Sequence, residues 1–191
     1  VYFIGAILAI VGVVFLVLIP EKGNHQGKVK TSFNADVMDG IKYMYQNKSI
    51  FTLFILIVFT TVFAHPFQFL LPIFARDILK VGEVGLGWMM GAIGIGAVIS
   101  TLVLASLGDY PRKSYLLLGF MGVLGILLGV FSFSTIFAFS LIILLMLGIC
   151  STGFNTMSNT MLQSLSSTEM RGRVMGIMTI AFGLAPLGSM P

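Results

Sequence analysis

SYLLLGFMGVLGILLGVFSFSTIFAFSLIILLMLGICSTGFNTMSNTMLQSLSST, residues Ser114 to Thr168, runs for 55 residues without a charged side chain. One bilayer crossing takes about 20 apolar residues as a helix, so this stretch holds two. The polar turn FSFST (131–135) divides them. Outward from it, the uncharged stretches Val1 to Pro20, Ser49 to Ala75, Val84 to Gly108 and Val174 to Pro191 each have room for one more. The pattern predicts an all-α membrane protein with about six transmembrane helices, near 1–20, 50–74, 85–107, 114–132, 135–158 and 174–191.

The cations orient it. Nine of the eleven Lys and Arg residues occupy alternate gaps: Lys22, Lys28, Lys30, Lys42 and Lys48 in one, Arg112 and Lys113 in a second, Arg171 and Arg173 in a third. Basic loops are retained on the cytoplasmic side, so the first span runs inward and the last outward. A chain that is 57% apolar and 9% charged has too little polar surface to stay in water. The net charge of +4 is spread over short loops without interleaved aromatics, which points to membrane topology and not to nucleic acid. Cys150 stands alone within a span, so no disulfide framework is expected. His25 and His65 have no Cys or carboxylate at ligand spacing and no phosphate-binding GxxxxGK[ST] occurs, so metal, cofactor and enzyme activity are not expected. Val1 opens directly in an apolar helix and the last stretch stops at Pro191, as expected of a piece of a longer protein.

Residues 21–49 divide into a Gly/Asn/Lys-rich linker and a periodic segment. Phe33, Val37, Ile41 and Met44 recur at helical spacing, Met38 widens the stripe, and Ser32 suits an N-cap. An amphipathic cytoplasmic helix is expected there, lying on the membrane or on the bundle. Within the spans, Gly87 and Gly91 form GxxxG, Ala92, Gly96 and Ser100 continue at four-residue spacing, and Gly125 and Gly129 repeat it. Small residues at that period let helices approach closely in lipid.

Polar groups inside the spans are few. His65, in FAHPFQ (63–68), is the one side chain there that titrates near neutral pH, and intramembrane ionisable residues are functional candidates because burying them is costly. Its readings are a titrating or substrate-contacting group, or a neutral imidazole bonded to a neighbouring helix. Pro66 beside it favours a kink. Phe67 and Gln68 follow on the same segment. In the fifth span Asn155, Asn159 and Gln163 share a face with Ser151. They lie near the cytoplasmic end, ~15–20 Å in depth from His65, where they line an inner vestibule or bond the following loop.

Four strings carry a family resemblance. NTMLQ (159–163) followed by RGRVMG (171–176) and GLAPLG (183–188) resembles the junction of the tenth and eleventh helices in major facilitator superfamily transporters, especially multidrug, macrolide and enterobactin exporters. LLPIFA (70–75) is similar to the seventh helix of that branch, GLGWMMG (85–91) to its eighth, and GDYPRK (108–113) occupies the place of the basic loop between eighth and ninth. Ala105 stands where that loop's motif has Gly, and Tyr110 and Pro111 replace its later residues.

The resemblance implies a partial major-facilitator-type helical bundle: 1–20 as the last helix of the N-terminal half, 21–49 as the central cytoplasmic loop, and 50–191 as five helices of the C-terminal half. It implies a multi-pass transporter of the cell membrane, exporting lipophilic small molecules with the proton as coupling ion, its N-terminal half lying outside this chain. Phe59, Phe63, Phe67, Phe69 and Phe154 would wall the cavity, with His65, Gln68, Asn155 and Asn159 on the substrate or ion pathway. Asp109, Arg112, Lys113, Arg171 and Arg173 would form a cytoplasmic gate. A non-transporting sensor or assembly protein built on the same bundle remains the alternative.

Overall fold

The structure, a computed structural model, describes residues 33–64, 66–108 and 113–183. The first expected span, Ser32, His65, Asp109, Arg112 and the GLAPLG segment beyond Gly183 lie outside the described residues.

Every described element is helical: α1 (Phe33–Gln46), α2 (Lys48–Ala64), α3 (Phe67–Ile73) continuing into a π-helical turn (Phe74–Ile78), α4 (Gly82–Leu107), α5 (Lys113–Ser132), α6 (Phe137–Leu165) and α7 (Arg171–Phe182). Lipid offers the backbone no hydrogen-bond partners, so a spanning segment must satisfy its own peptide groups, and a helix does so. That requirement overrides the β-branched content of IFTLFILIVFTTVF (50–63), a strand-like composition in water. Lys48–Ile78, Gly82–Leu107, Lys113–Ser132 and Phe137–Leu165 are long and apolar enough to cross a membrane. The described part of the sixth span, α7, has 12 residues.

Two boundaries differ from expectation. The second span is not one helix, because Pro66 opens α3 and Pro72 stands inside it. A proline has no N–H and its ring crowds the carbonyl four residues back. The wider π turn follows directly, with the Leu79 N–H reaching the Phe74 carbonyl at 3.0 Å. The fifth span continues seven residues past 158 to Leu165, so Asn159 and Gln163 are helical.

The buried residues fall into two clusters, and their membership shows the up-and-down path. One joins Met44, Ile50 and Leu53 to Leu104 at the end of α4, Leu117 at the start of α5, Met157 and Leu162 late in α6, and Val174 early in α7. The other joins Ala64, Leu71 and Ala75 to Met89 and Ala92 early in α4, Phe131 at the end of α5, and Ile143 and Leu144 early in α6. Successive spans therefore run in opposite directions. The end holding the first cluster carries Lys42, Lys48, Lys113, Arg171 and Arg173 against Asp39 and Glu169, whereas Arg76 and Lys80 are balanced by Asp77 and Glu83 at the other. By the positive-inside rule the first end is cytoplasmic. Large apolar side chains such as Ile95, Val98, Leu102 and Ile126 remain exposed, as a lipid-facing surface requires.

α6 is the central helix, in contact with α2, α4, α5 and α7. Its approach to α4 is backbone to backbone. A Cβ on Gly96 would overlap the Leu145 carbonyl, and one on Gly148 the Ile93 carbonyl. Ala92, Gly96 and Ser100 are buried on this face, but Gly87, Gly91, Gly125 and Gly129 have no atom within 4 Å of a Cβ position. The GxxxG pairs thus sit on open faces, and the contact stripe is offset around α4. Gly148→Ala is expected to destabilise the bundle by ~1–3 kcal/mol through overpacking, while Gly91→Ala stays within about 0.5 kcal/mol. Thermal unfolding in detergent checks this; equal midpoints for the two variants would contradict the close α4–α6 contact.

Candidate functional site

α2 has two unlike faces. Ile57, Thr60, Thr61 and Ala64 are buried, and the Thr60 hydroxyl donates to the Leu56 carbonyl at 2.9 Å, so it costs nothing in an apolar setting. Opposite them, Phe59 and Phe63 are exposed with ring centroids 4.6 Å apart. They belong to a groove of about 290 Å³ bounded entirely by apolar side chains of α2, from Phe54 to Phe63. Beyond residue 65, Pro66 is buried, Phe67 packs against the second cluster, and Gln68 and Phe69 are exposed. Phe154 is not part of this wall. It is 3% exposed, inside the first cluster, because residue 154 faces inward on α6, where it packs with Leu117 and Met157.

On α6 the amides of Asn155 and Asn159 are half-buried. The Asn155 Nδ2 donates to the Ser151 carbonyl at 2.9 Å and the Asn159 Nδ2 to the Asn155 carbonyl at 3.0 Å. This ladder satisfies one donor of each amide within the helix and leaves their carbonyl oxygens available. Gln163 is exposed. Both asparagines lie at the level of the first cluster, whereas Ala64 belongs to the second. The structure does not bring them to the segment around residue 65.

At the cytoplasmic end, Arg171 is exposed, Lys113 is half-buried at the start of α5, and Arg173 reaches across to α1. Its Nη1 lies 3.1 Å from Asp39 Oδ2 and donates as well to Met170 Sδ at 3.7 Å. One turn along α1, the Tyr43 hydroxyl oxygen accepts the Ser167 N–H at 3.2 Å. That N–H favours the phenolate and holds Tyr43 below the ordinary tyrosine value of 10.0. A lowered acid value adds stability above the ordinary value and loses it as pH falls through the lowered one.

Between these polar contacts Gly40 sits against α7, where a Cβ would come 2.6 Å from Ile177 Cδ1. The docked face of α1 is Val37, Gly40 and Met44, while Met38 and Ile41 point outward. The expected apolar stripe thus divides between the bundle and the outward side, and nothing in the spacing signals the contacts made by Asp39 and Tyr43. The missed signal was Gly40: a mid-helix glycine costs about 1 kcal/mol and needs a compensating close contact. Asn47 joins α1 to α2, its Nδ2 on the Tyr43 carbonyl at 2.9 Å and its own carbonyl accepting the Phe51 N–H at 3.0 Å.

Antiparallel apolar spans, a proline-broken second span and a docked cytoplasmic helix agree with what comparison shows. The Major Facilitator Superfamily profile matches residues 1–189. The chain belongs to that superfamily. It is 25% identical over 156 residues to the multidrug efflux pump Tap of Mycolicibacterium fortuitum, an overlap of 81% of this chain and 38% of that protein. The chain thus spans well under two thirds of the relative's length. No solved structure matches it.

Within the major facilitator chain, the Asp39–Arg173 ion pair joins α1 to α7 at the cytoplasmic end. Its two side chains are 54% and 30% exposed, so it is worth ~0.2–1 kcal/mol. Asp39→Asn is expected to raise amide hydrogen exchange across α1 by at most about fivefold, and the swap Asp39→Arg with Arg173→Asp to return it toward wild type. Exchange in α1 that ignores Asp39→Asn would show that the pair does not hold the helix.

Proposed function

We propose that this chain is the C-terminal part of a secondary active transporter of the cell membrane that exports lipophilic small molecules by alternating access, with the proton as coupling ion. The observation that carries the reading is the exposed Phe59–Phe63 face on the helix that breaks at Pro66, in a chain of this superfamily similar to a multidrug efflux pump. An aromatic groove without polar lining attracts bulky apolar compounds by area and stacking, and lacks the directed hydrogen bonds that sugars or anions require.

In this reading His65, Phe67 and Gln68 lie on the substrate or ion pathway. His65 is the group that takes up and releases the proton, since an imidazole titrates near neutral pH and no carboxylate or lysine stands in residues 49–75. Asn155 and Asn159 line the inner vestibule, offering the carbonyl oxygens that their ladder leaves available. Asp109, Arg112, Lys113, Arg171 and Arg173 form the cytoplasmic gate, to which Asp39 and Tyr43 tie the linker helix. The remaining half of the protein supplies the opposing bundle, and rocking of one bundle against the other exposes the site to either side. Alternation needs contacts at the gate that break cheaply, and exposed ion pairs meet that need.

Efflux of a fluorescent lipophilic cation from cells carrying the complete gene tests this. Export abolished by a protonophore is expected, with His65→Ala losing most of the proton-driven component. The double variant Phe59→Ala, Phe63→Ala should keep its thermal stability, because both rings are exposed, and yet export bulky cations several-fold more slowly. Unchanged efflux in His65→Ala would remove the proton role from that residue, and efflux indifferent to the protonophore would remove proton coupling altogether.

A further inference from the structure

A second groove, of about 490 Å³, opens at the cytoplasmic end between α2, α5 and α6, apart from the aromatic face. Its lining changes with depth. Lys48, Ser49 and Thr52 from the first turns of α2, with Ser114 from the first turn of α5, surround the mouth. Leu165, the last residue of α6, borders the mouth as well, and below it the walls are Leu53, Leu56, Leu117, Leu118 and Met161. The order follows from position: 49 and 52 lie one helical turn nearer the cytoplasm than 53 and 56 respectively on α2.

We propose that this groove binds one anionic phospholipid, its phosphate at Lys48 and the three hydroxyls and the upper part of an acyl chain along the leucines. Charge complementarity favours this occupant. Among the described lining residues the mouth holds a lysine and no acid, and Asp39, a described acid at this end, is engaged by Arg173. A further helix laid over the groove would take the Lys48 ammonium and its neighbouring hydroxyls out of water without a counter-charge, which is costly. A lipid phosphate supplies that charge at the depth where the headgroups lie, as basic pockets between transmembrane helices on the cytoplasmic side do for anionic lipids. The inference is independent of what the protein transports.

Native mass spectrometry of the complete protein in a neutral detergent tests it, with phosphatidylglycerol and phosphatidylcholine of identical acyl chains as probes. Retention of one phosphatidylglycerol in preference to phosphatidylcholine is expected. Lys48→Gln should weaken that retention about fivefold, the weight of one lysine beside an anionic surface, and leave phosphatidylcholine unaffected; Lys48→Arg should keep it. Leu56→Trp, which fills the apolar part, should reduce retention of both lipids. Lys48 and its replacements are exposed, and matching unfolding midpoints in lipid-free detergent establish that the variants fold. Phosphatidylglycerol retention untouched by Lys48→Gln and Leu56→Trp would overturn the proposal and mark the groove as covered by another segment of the protein. Full displacement by millimolar inorganic phosphate would also overturn it, since the site would then take a free anion and not a lipid.

Discussion

The backbones of α4 and α6 touch, and the rest of the bundle is arranged around that contact. Apolar side chains gain nothing by leaving lipid for protein, so helix association in a bilayer depends on close packing and not on burial. Gly96 and Gly148 supply it reciprocally, each admitting the main chain of the other helix. Once α6 is held this way, its remaining faces are committed: Gly153 receives the ring of Phe120 from α5, and Leu162 and Phe154 pack with Ile50, Leu53 and Val174 at the cytoplasmic end. Each of these contacts places a small residue opposite a large one or a backbone, which is how density is reached without a hydrophobic driving force.

The four middle spans and their alternating directions were legible because they rest on two coarse constraints, a minimum apolar length and the side on which cations remain. Neither depends on which neighbour a helix meets. The choice of contact face does, and there the reading failed. α4 carries small residues on two faces, Gly87, Gly91 and Gly94 on one and Gly85, Ala92, Gly96 and Ser100 on the other. A four-residue period is satisfied by both, so periodicity cannot say which meets α6. The same degeneracy holds for α1, which has apolar residues on its docked and outward faces alike.

Asn155, Asn159 and Gln163 fall on one face of α6 as their spacing predicts, although such side chains usually compete with the backbone for its hydrogen bonds. Here the asparagine amides donate to carbonyls four residues back, which are already helical acceptors, and so extend α6 instead of fraying it. The candidate site was legible to the extent that it is local: the prolines, the aromatic run of α2 and the basic α7 start are readable from composition. Asp39 with Arg173 and Tyr43 with Ser167 join positions more than 120 residues apart and could not be read that way.

Strength is graded along the bundle. Around Gly96 and Gly148 any displacement drives a carbonyl into a helix, so α4 and α6 form a stiff unit. At the cytoplasmic rim α1 is held by the exposed Asp39–Arg173 pair and the Tyr43–Ser167 hydrogen bond, polar contacts that individually cost little to break, and by the packing of Val37, Gly40 and Met44. Gly40 has a second consequence here. With no side chain of its own, it lets α1 lie close on Ile177, while Met44 one turn further on is buried in the first cluster with Val174. A side chain at that position would force Ile177 aside or hold α1 off α7, and either change would alter the linker and leave the central contact intact.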